Sequence, residues 1–332
     1  VQDTIQEVEP GLFLLGIPLP DSPLRSVNAY VVAALDGIRL IDCGWNTPEA
    51  YEAVHDGLAP LGGIGAVREI LITHMHPDHY GLAERLAAES GARVLMHRLE
   101  AVFLGARYED VRALVEQMSA WLQINGVPPA ELEAMTAGSL EMLRRVGRSK
   151  PDVLLEGDER FAWGPYRFRV VWTPGHSAGL VCLHDPEAQV LISSDHVLER
   201  ISPHVGLHAQ SLGNPLADYL ESLALVRELP VRRVLPGHGN PFQDLPGRVD
   251  ELLEHHEERL REIEGLLRSG ERSAFDVAGR LSWKGSQSGW DRLQPFQRRM
   301  AVTEVIAHLE YLHNAGRVAK RHREGIVFYR MP

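Results

Sequence analysis

A layered α/β protein is the fold class this sequence predicts, and three observations predict it. Apolar runs of strand length, such as Ile70-Leu71-Ile72 and Val190-Leu191-Ile192, recur through to about residue 245. Helix-type segments with recognisable start signals lie between them. Several of the runs end in a residue able to bind a metal, the position from which loops in layered α/β proteins present chemistry. Of the 332 residues, 44% are apolar and 24% charged, which is ordinary for a globular chain.

Taken in order, the chain opens with strands at Gly11–Gly16, Asn28–Val32 and Ile38–Asp42, the last two joined as a hairpin by Leu35-Asp36-Gly37. Thr47 or Asn46 caps a helix from Pro48 to Leu58, with Pro48 at its first position. The run Arg68–Thr73 leads into His74-Met75-His76-Pro77-Asp78-His79, followed by a helix-like segment, Leu82–Ser90, and a short strand, Arg93–Met96. From about residue 99 to 148 the pattern is helical, with helices at Glu109–Ile124 and Pro129–Val146 around the loop Asn125–Pro129. In this insert Met118, Trp121, Leu122, Met135, Met142 and Leu143 make an apolar face. Such a face packs against the rest of the protein, lines an apolar substrate pocket, or does both. Strands return at Phe168–Trp172, Gln189–Ser194 and Arg232–Leu235, and a helix from Asn214 to Leu229 leads into the last of them. Beyond Arg248 come helices at Val249–Ser269, Ala274–Leu281 and Gln294–Ala315, then strands Arg317–Ala319 and Ile326–Tyr329 about a turn at Gly325. Domains are therefore expected at 1–247 and 248–332.

Charge and cysteine content narrow the function classes. A formal net charge of −11 argues against a surface coated for nonspecific polyanion binding. No apolar stretch approaches the length needed to cross a bilayer, and the first ten residues have neither the basic nor the apolar region of a signal peptide. The two cysteines, Cys43 and Cys182, lie in or beside apolar runs and read as small buried hydrophobes in a reducing compartment. A cytoplasmic protein without a membrane partner is the expectation.

The chemistry concentrates in His74–His79. Three imidazoles and a carboxylate within six residues form a dense set of ligands for zinc or another transition metal. Alternate residues point the same way, so His74 and His76 can grip one metal while Asp78 and His79 turn toward a second. Three distant strand ends each add one ligand-capable residue: His176 in Thr-Pro-Gly-His-Ser-Ala-Gly, Asp195 after Ser193-Ser194, and His238 in Pro-Gly-His-Gly.

These motifs, in this order and spacing, resemble the metallo-β-lactamase superfamily over roughly residues 10–245. The resemblance implies a four-layer αβ/βα sandwich with a two-metal site between the sheets. Carried over, it makes His74, His76 and His176 ligands of one metal, Asp78, His79 and His238 ligands of the other, and Asp195 the bridge. Two zinc ions are the expected cofactors, with iron or manganese as alternatives. Asp42, in Leu-Ile-Asp-Cys-Gly, is either a surface turn residue or an acceptor that fixes the tautomer of a ligand imidazole, and the second reading is favoured. His196, His204 and His208 follow Asp195 without periodicity and are candidates for contacting substrate or donating a proton.

Two metals about 3.5–4 Å apart activate a shared hydroxide, so a nucleophile exists without serine or cysteine. Asp78 and Asp195 then offset metal charge and orient that hydroxide. The shared ligand set does not choose among thioesterases, lactonases, β-lactamases and nucleases. Leu180 stands where glyoxalase II-like proteins commonly have a second His, while the intact His76 disfavours the diiron flavoprotein branch. The C-terminal helices and hairpin resemble the winged-helix module appended to some members, among them single-strand-specific endoribonucleases. Lys320, Arg321, His322 and Arg323 are its candidates for phosphate contact, but packing or homodimer formation is the expected role. The leading reading is a hydrolase of a small ester, thioester or lactone in the glyoxalase II-like or lactonase-like branch. The alternative is a phosphodiesterase or endoribonuclease acting on single-stranded RNA.

Overall fold

The computed structural model describes residues 5–20, 22–105, 108, 111–143, 146–147, 150–283 and 289–332; of residues 111 and 138–143 it describes the backbone. The chain divides into two compact units. One holds residues 1–109, 142–203 and 222–249, the other 110–141, 204–221 and 250–332.

The first unit carries two sheets. A seven-stranded sheet runs β1 (Ile5–Glu9), β2 (Leu12–Pro18), β3 (Ser26–Ala34), β4 (Gly37–Ile41), β5 (Val67–Ile72), β6 (Arg93–His97), β7 (Val153–Leu155) in chain order. Pairing is antiparallel from β1 to β4 and parallel from β4 to β7. The second sheet is ordered β12 (Arg233–Pro236), β11 (Val190–Ser194), β10 (Val181–Asp185), β9 (Tyr166–Trp172), β8 (Arg160–Trp163), antiparallel except for the parallel β11–β12 pair.

Alternation along the strands sorts side chains into two cores. Leu12, Tyr30, Val32, Ile41 and Leu71 from the first sheet join Phe168, Val170, Leu183, Ile192 and Leu235 from the second in one cluster between the sheets. The opposite face of the first sheet, through Leu15, Val27, Val31, Leu40 and Ile70, packs on α1 (Pro48–Leu58) by Ala50, Val54 and Leu58 and on α3 (Ala83–Ser90) by Ala83 and Leu86. Every residue of β10 and β11 is buried, so both faces of the second sheet's centre are covered. The α/β sandwich expected from the sequence is the fold. Helix α1 starts where the sequence places it, with the Thr47 side chain accepting from the Ala50 N–H at 3.3 Å. Between β5 and α3 the motif forms one short helix of its own, α2 (Pro77–Tyr80), and α4 (Arg98–Leu104) follows β6. No helix among the described residues is long and apolar enough to cross a membrane.

The second unit contains α5 (Val111–Ile124) and α6 (Pro129–Leu143) up to residue 141, α8 (Leu245–Leu267) from residue 250, α9 (Ala274–Ala278), α10 (Pro295–Asn314) and a hairpin of β13 (Ala319–Arg323) and β14 (Ile326–Arg330). The helix α7 (Pro215–Arg227) precedes β12. Leu122 and Met135 of the expected apolar face are buried and Met118 and Trp121 half-buried, whereas the Met142 and Leu143 side chains lie outside the described residues. Trp121 donates its indole N–H to the Leu207 carbonyl at 3.1 Å. The first hairpin strand begins two residues later than the sequence pattern placed it: Lys320–Arg323 are strand residues, Lys320 opposite Tyr329 and Arg323 opposite Ile326.

This unit also buries a polar cluster. His308 Nδ1 donates to the Glu304 carbonyl at 2.8 Å, leaving its Nε2 to accept from His256 Nδ1 at 3.1 Å. Burial, with Arg259 and His255 nearby, pushes His308 down to about 4, and His256 is held well below its ordinary value by burial and then His308. Burial lifts the Glu304 carboxyl to about 7 against the pull of Arg259. Glu304 therefore loses stability as pH rises from its unfolded value near 4.5 through about 7. His308 loses it as pH falls from near 6.5 through about 4. The two slopes oppose each other in the parent. Glu304→Gln removes one of them: at pH 8 the variant is expected to be more stable by on the order of 2 kcal/mol, and to lose that gain on acidification to pH 5. Chemical denaturation at both pH values measures this, and an equal difference at the two would refute it.

Candidate metal centre

The strands that carry the motifs end at one edge of the sandwich. Asp42 follows β4 and His74 follows β5; His176 lies four residues past β9, Asp195 directly after β11, and His238 two residues past β12. Hydrogen bonds between these ends fix their alignment. Asp42 N–H donates to the Leu71 carbonyl at 2.9 Å, Val181 N–H to the Thr73 carbonyl at 3.1 Å, and Gly237 N–H to the Ser194 carbonyl at 2.9 Å. Gly237 is required by space: a Cβ there would sit 2.3 Å from Asp195 Oδ1 and 3.0 Å from His79 Cε1.

The seven candidate ligands come together in three overlapping groups whose donor atoms lie within 4.8 Å of one another. His74, His76 and His176 form the first; Asp78, His79 and His238 form another; Asp195 joins His74 and His79 in the third. In the first group His76 Nδ1 faces His74 Nε2 at 3.0 Å and His176 Nε2 at 2.9 Å, with the rings nearly perpendicular. In the second, His238 Nε2 is 3.3 Å from Asp78 Oδ2, and His79 Nε2 is 3.9 Å from the same oxygen. Asp195 reaches both, with Oδ1 3.5 Å from His79 Nε2 and Oδ2 3.5 and 3.7 Å from His238 and His176 Nε2.

A cation suits this donor set. His79 Nε2, His238 Nε2 and Asp195 Oδ1 are buried and lack a hydrogen-bond partner among the described residues, a costly arrangement unless another group satisfies them. Electrostatics points the same way. Burial alone would raise the Asp195 carboxyl and lower His79 and His238. The mutual attraction wins: Asp195 is held well below its usual range, His79 well above, and His238 is lifted to about 10. His74 goes the other way, lowered by burial and then by His79, His76 and His176, so its lone pair is available. A divalent ion held by these residues would supply the positive charge that protons supply without it.

Surrounding groups select the ring tautomers. His238 Nδ1 donates to the Ser26 carbonyl at 2.8 Å and His79 Nδ1 to Asp42 Oδ2 at 2.7 Å, which turns both Nε2 lone pairs inward. Asp42 is 2% exposed, so it is not the surface turn residue that the sequence also allowed. Its carboxylate accepts from Thr73 N–H at 2.8 Å and from the Thr73 hydroxyl at 2.8 Å, and that hydroxyl in turn accepts from His74 Nδ1 at 3.1 Å. One carboxylate thus orients an imidazole in each half, directly at His79 and through Thr73 at His74.

His196 is fully buried, and burial holds its imidazole down at about 3, which gives it an interior position rather than one facing solvent. His204 and His208 belong to the second unit, where His204 Nε2 lies 3.1 Å from the Met300 carbonyl and 3.2 Å from the Thr303 hydroxyl. Sequence reasoning passes over Thr73, Ser26 and Asn28. Asn28 holds the Pro236 and Gly239 carbonyls at 2.9 and 2.8 Å and so frames the His238 loop. Thr73 is readable only as the last residue before the motif, and the other two carry no local signal.

The family described as the Metallo-beta-lactamase superfamily matches residues 22–238. A relative named Probable metallo-hydrolase YqjP, from Bacillus subtilis, is 25% identical over 306 residues, covering 89% of this chain and 90% of its own. Lactamase-like protein nscB from Aspergillus fumigatus is 30% identical over 289 residues, covering 85% and 69%. Among solved structures, a metallo-beta-lactamase family protein from Thermus thermophilus aligns with a TM-score of 0.83 at 33% identity, over 98% of this chain and 100% of that one. A beta-lactamase domain protein from Burkholderia ambifaria aligns with a TM-score of 0.84 at 29% identity, over 99% and 94%.

Proposed function

The chain belongs to the metallo-beta-lactamase superfamily and is a metallo-hydrolase with a histidine–aspartate cluster for divalent metal; from that premise we propose that its centre takes two zinc ions and cleaves a small ester, thioester or lactone with an apolar part. The observation that carries the reading is the division of seven donors into two groups with Asp195 within reach of both. His74, His76 and His176 would hold one ion, Asp78, His79 and His238 the other. When bound, such a pair lowers the pKa of a shared water and polarises the substrate oxygen. The protein's own residues do the rest. Asp195 and Asp78 place two carboxylates beside four of the five imidazoles and offset the charge of the centre. Asp42 accepts the His79 Nδ1–H, which leaves Nε2 as the nitrogen that would give up its proton to a metal.

The glyoxalase II-like or lactonase-like branch is part of this proposal, as is a winged-helix reading of α8, α9, α10 and the β13–β14 hairpin. The hairpin's cations weigh against RNA binding, and a packing or homodimer role for this module is part of the proposal. Lys320 Nζ is 2.6 Å from Glu310 and Arg323 is 2.6 Å from Glu271, so two of the cations proposed for phosphate contact already face carboxylates. Replacing Lys320, Arg321 and Arg323 together with Ala is expected to leave hydrolysis of small esters unchanged. A nuclease would instead lose RNA affinity and flatten its salt dependence by a slope of roughly 2–3 units.

Metal analysis combined with a hydrolysis screen over thioesters, lactones, aryl esters, β-lactams, bis-aryl phosphates and single-stranded RNA tests the proposal. Turnover of the carbonyl substrates with two equivalents of zinc is the expected result. Turnover confined to phosphodiesters or RNA would overturn it.

A further inference from the structure

A buried carboxylate outside the motifs ties together the loops that carry His74, His76 and His176. Glu100, on α4, is fully buried. Its Oε2 accepts from the Met75 N–H at 2.7 Å. Its Oε1 accepts from the Ser177 hydroxyl at 2.5 Å and from the Gly179 N–H at 2.6 Å. Met75 stands between His74 and His76, and Ser177 follows His176, so one side chain fixes two loops that are 100 residues apart in sequence. The Tyr108 hydroxyl donates to the Met75 carbonyl at 2.6 Å. The Met75 N–H and C=O belong to the two successive peptide planes that link His74 to His76, and both planes are therefore pinned. The packing leaves no slack: a Cβ on Gly179 would lie 2.9 Å from Glu100 Cγ and 2.6 Å from His97 Nδ1.

We infer that Glu100 is a positioning residue that sets the geometry of the three-histidine half of the centre by clamping the Met75 and Ser177–Gly179 backbones. This rests on the binuclear reading above. A carboxylate suits the task because all of these donors need acceptors, and hydrogen bonds to a charged acceptor are the stronger kind. An amide cannot replace it. If its oxygen faces Ser177 and Gly179, its NH2 meets the Met75 N–H donor to donor; turned over, it meets the Gly179 N–H donor to donor, and Ser177 has to reverse its hydroxyl to accept.

Zinc titration against a competing chelator provides the test, with the fold followed by circular dichroism. Glu100→Gln is expected to weaken one metal equivalent by roughly 10–100-fold, the range for groups that orient ligands, and to leave the other within about 3-fold. Site assignment comes from combining it with ligand variants. In a His238→Ala background the remaining equivalent should weaken by the same factor; in a His176→Ala background Glu100→Gln should change nothing. Equal weakening of both equivalents, or of neither, overturns the inference while leaving the metal centre intact. A parent that binds no zinc removes the centre and the inference together. If Glu100→Gln does not fold, Ser177→Ala decides: it deletes one donor of three, and an affinity unchanged within about 3-fold at the three-histidine half refutes the clamp, against an expected loss of roughly 10-fold.

Discussion

Asp195→Ala is expected to lower kcat/KM by at least about 1,000-fold, beyond the roughly 10–100-fold typical of groups that only orient ligands. Asp195 stands apart from the other candidates because its two oxygens approach imidazoles of both halves, His79 and His238 on one side and His176 on the other. Without it the two groups lose the anion between them, and buried positive charge is left uncompensated. The metal-free protein should suffer as well. Asp195 lies well below its usual range because His238 and His79 overcome the cost of burial, so its contribution to stability is present above a carboxyl's unfolded pKa near 3.8 and lost as pH falls. At pH 7 the metal-stripped variant should therefore melt below the metal-stripped parent, and at pH 3 the gap should narrow. Kinetics on a substrate from the screen, together with zinc content, give the first comparison. An Asp195→Ala protein with near-parent turnover would show that the residue does not join the two halves.

Asp42 offers two substitutions with different signatures. Asp42→Ala leaves the Thr73 N–H and the His79 Nδ1–H buried without acceptors, at a cost of roughly 1–3 kcal/mol each. It also puts alanine at a φ of 62°, a conformation that Asp tolerates better. A loss of about 3–5 kcal/mol in stability and roughly 10–100-fold in metal affinity is expected. Asp42→Asn keeps the shape. Its amide oxygen can serve Thr73, but its NH2 then faces His79 Nδ1 and favours the ring with its proton on Nε2. That nitrogen is the one aimed at the cluster, so Asn should cost metal affinity with a smaller cost to folding. Equal affinities for parent and Asp42→Asn would rule out tautomer control.

The metal cluster was legible because its donors lie at or just beyond the ends of apolar runs, and the end of β5 in one sheet meets the ends of β9, β11 and β12 in the other. The framework around it was less so. Strand β10, Val181-Cys182-Leu183-His184-Asp185, is buried on both faces, so it lacks the alternation that marks a half-exposed strand. The short strand β7 has only three residues, too few for any period to show. The basic run Lys320–Arg323 falls between the two strands expected of the hairpin because charge dominates its composition, yet it forms most of the first strand. Glu100 is the clearest case of what a sequence conceals. It sits in a short helix among Leu99, Ala101 and Val102, and only the folded chain brings Met75, Ser177 and Gly179 to its carboxylate.

The hydrogen-bond chain from His74 through Thr73 to Asp42 and on to His79 links the two groups of donors through protein atoms alone. If His79 held a metal, its ring and the Asp42 carboxylate bonded to it would be kept in the arrangement they already have. Thr73, bonded to the same carboxylate, then holds the His74 ring in place before anything binds there. Coupling of this kind is reciprocal: whatever affinity the first ion adds for the second, the second adds for the first. On the two-ion reading, this relay would make the affinity of either half depend on whether the other is filled.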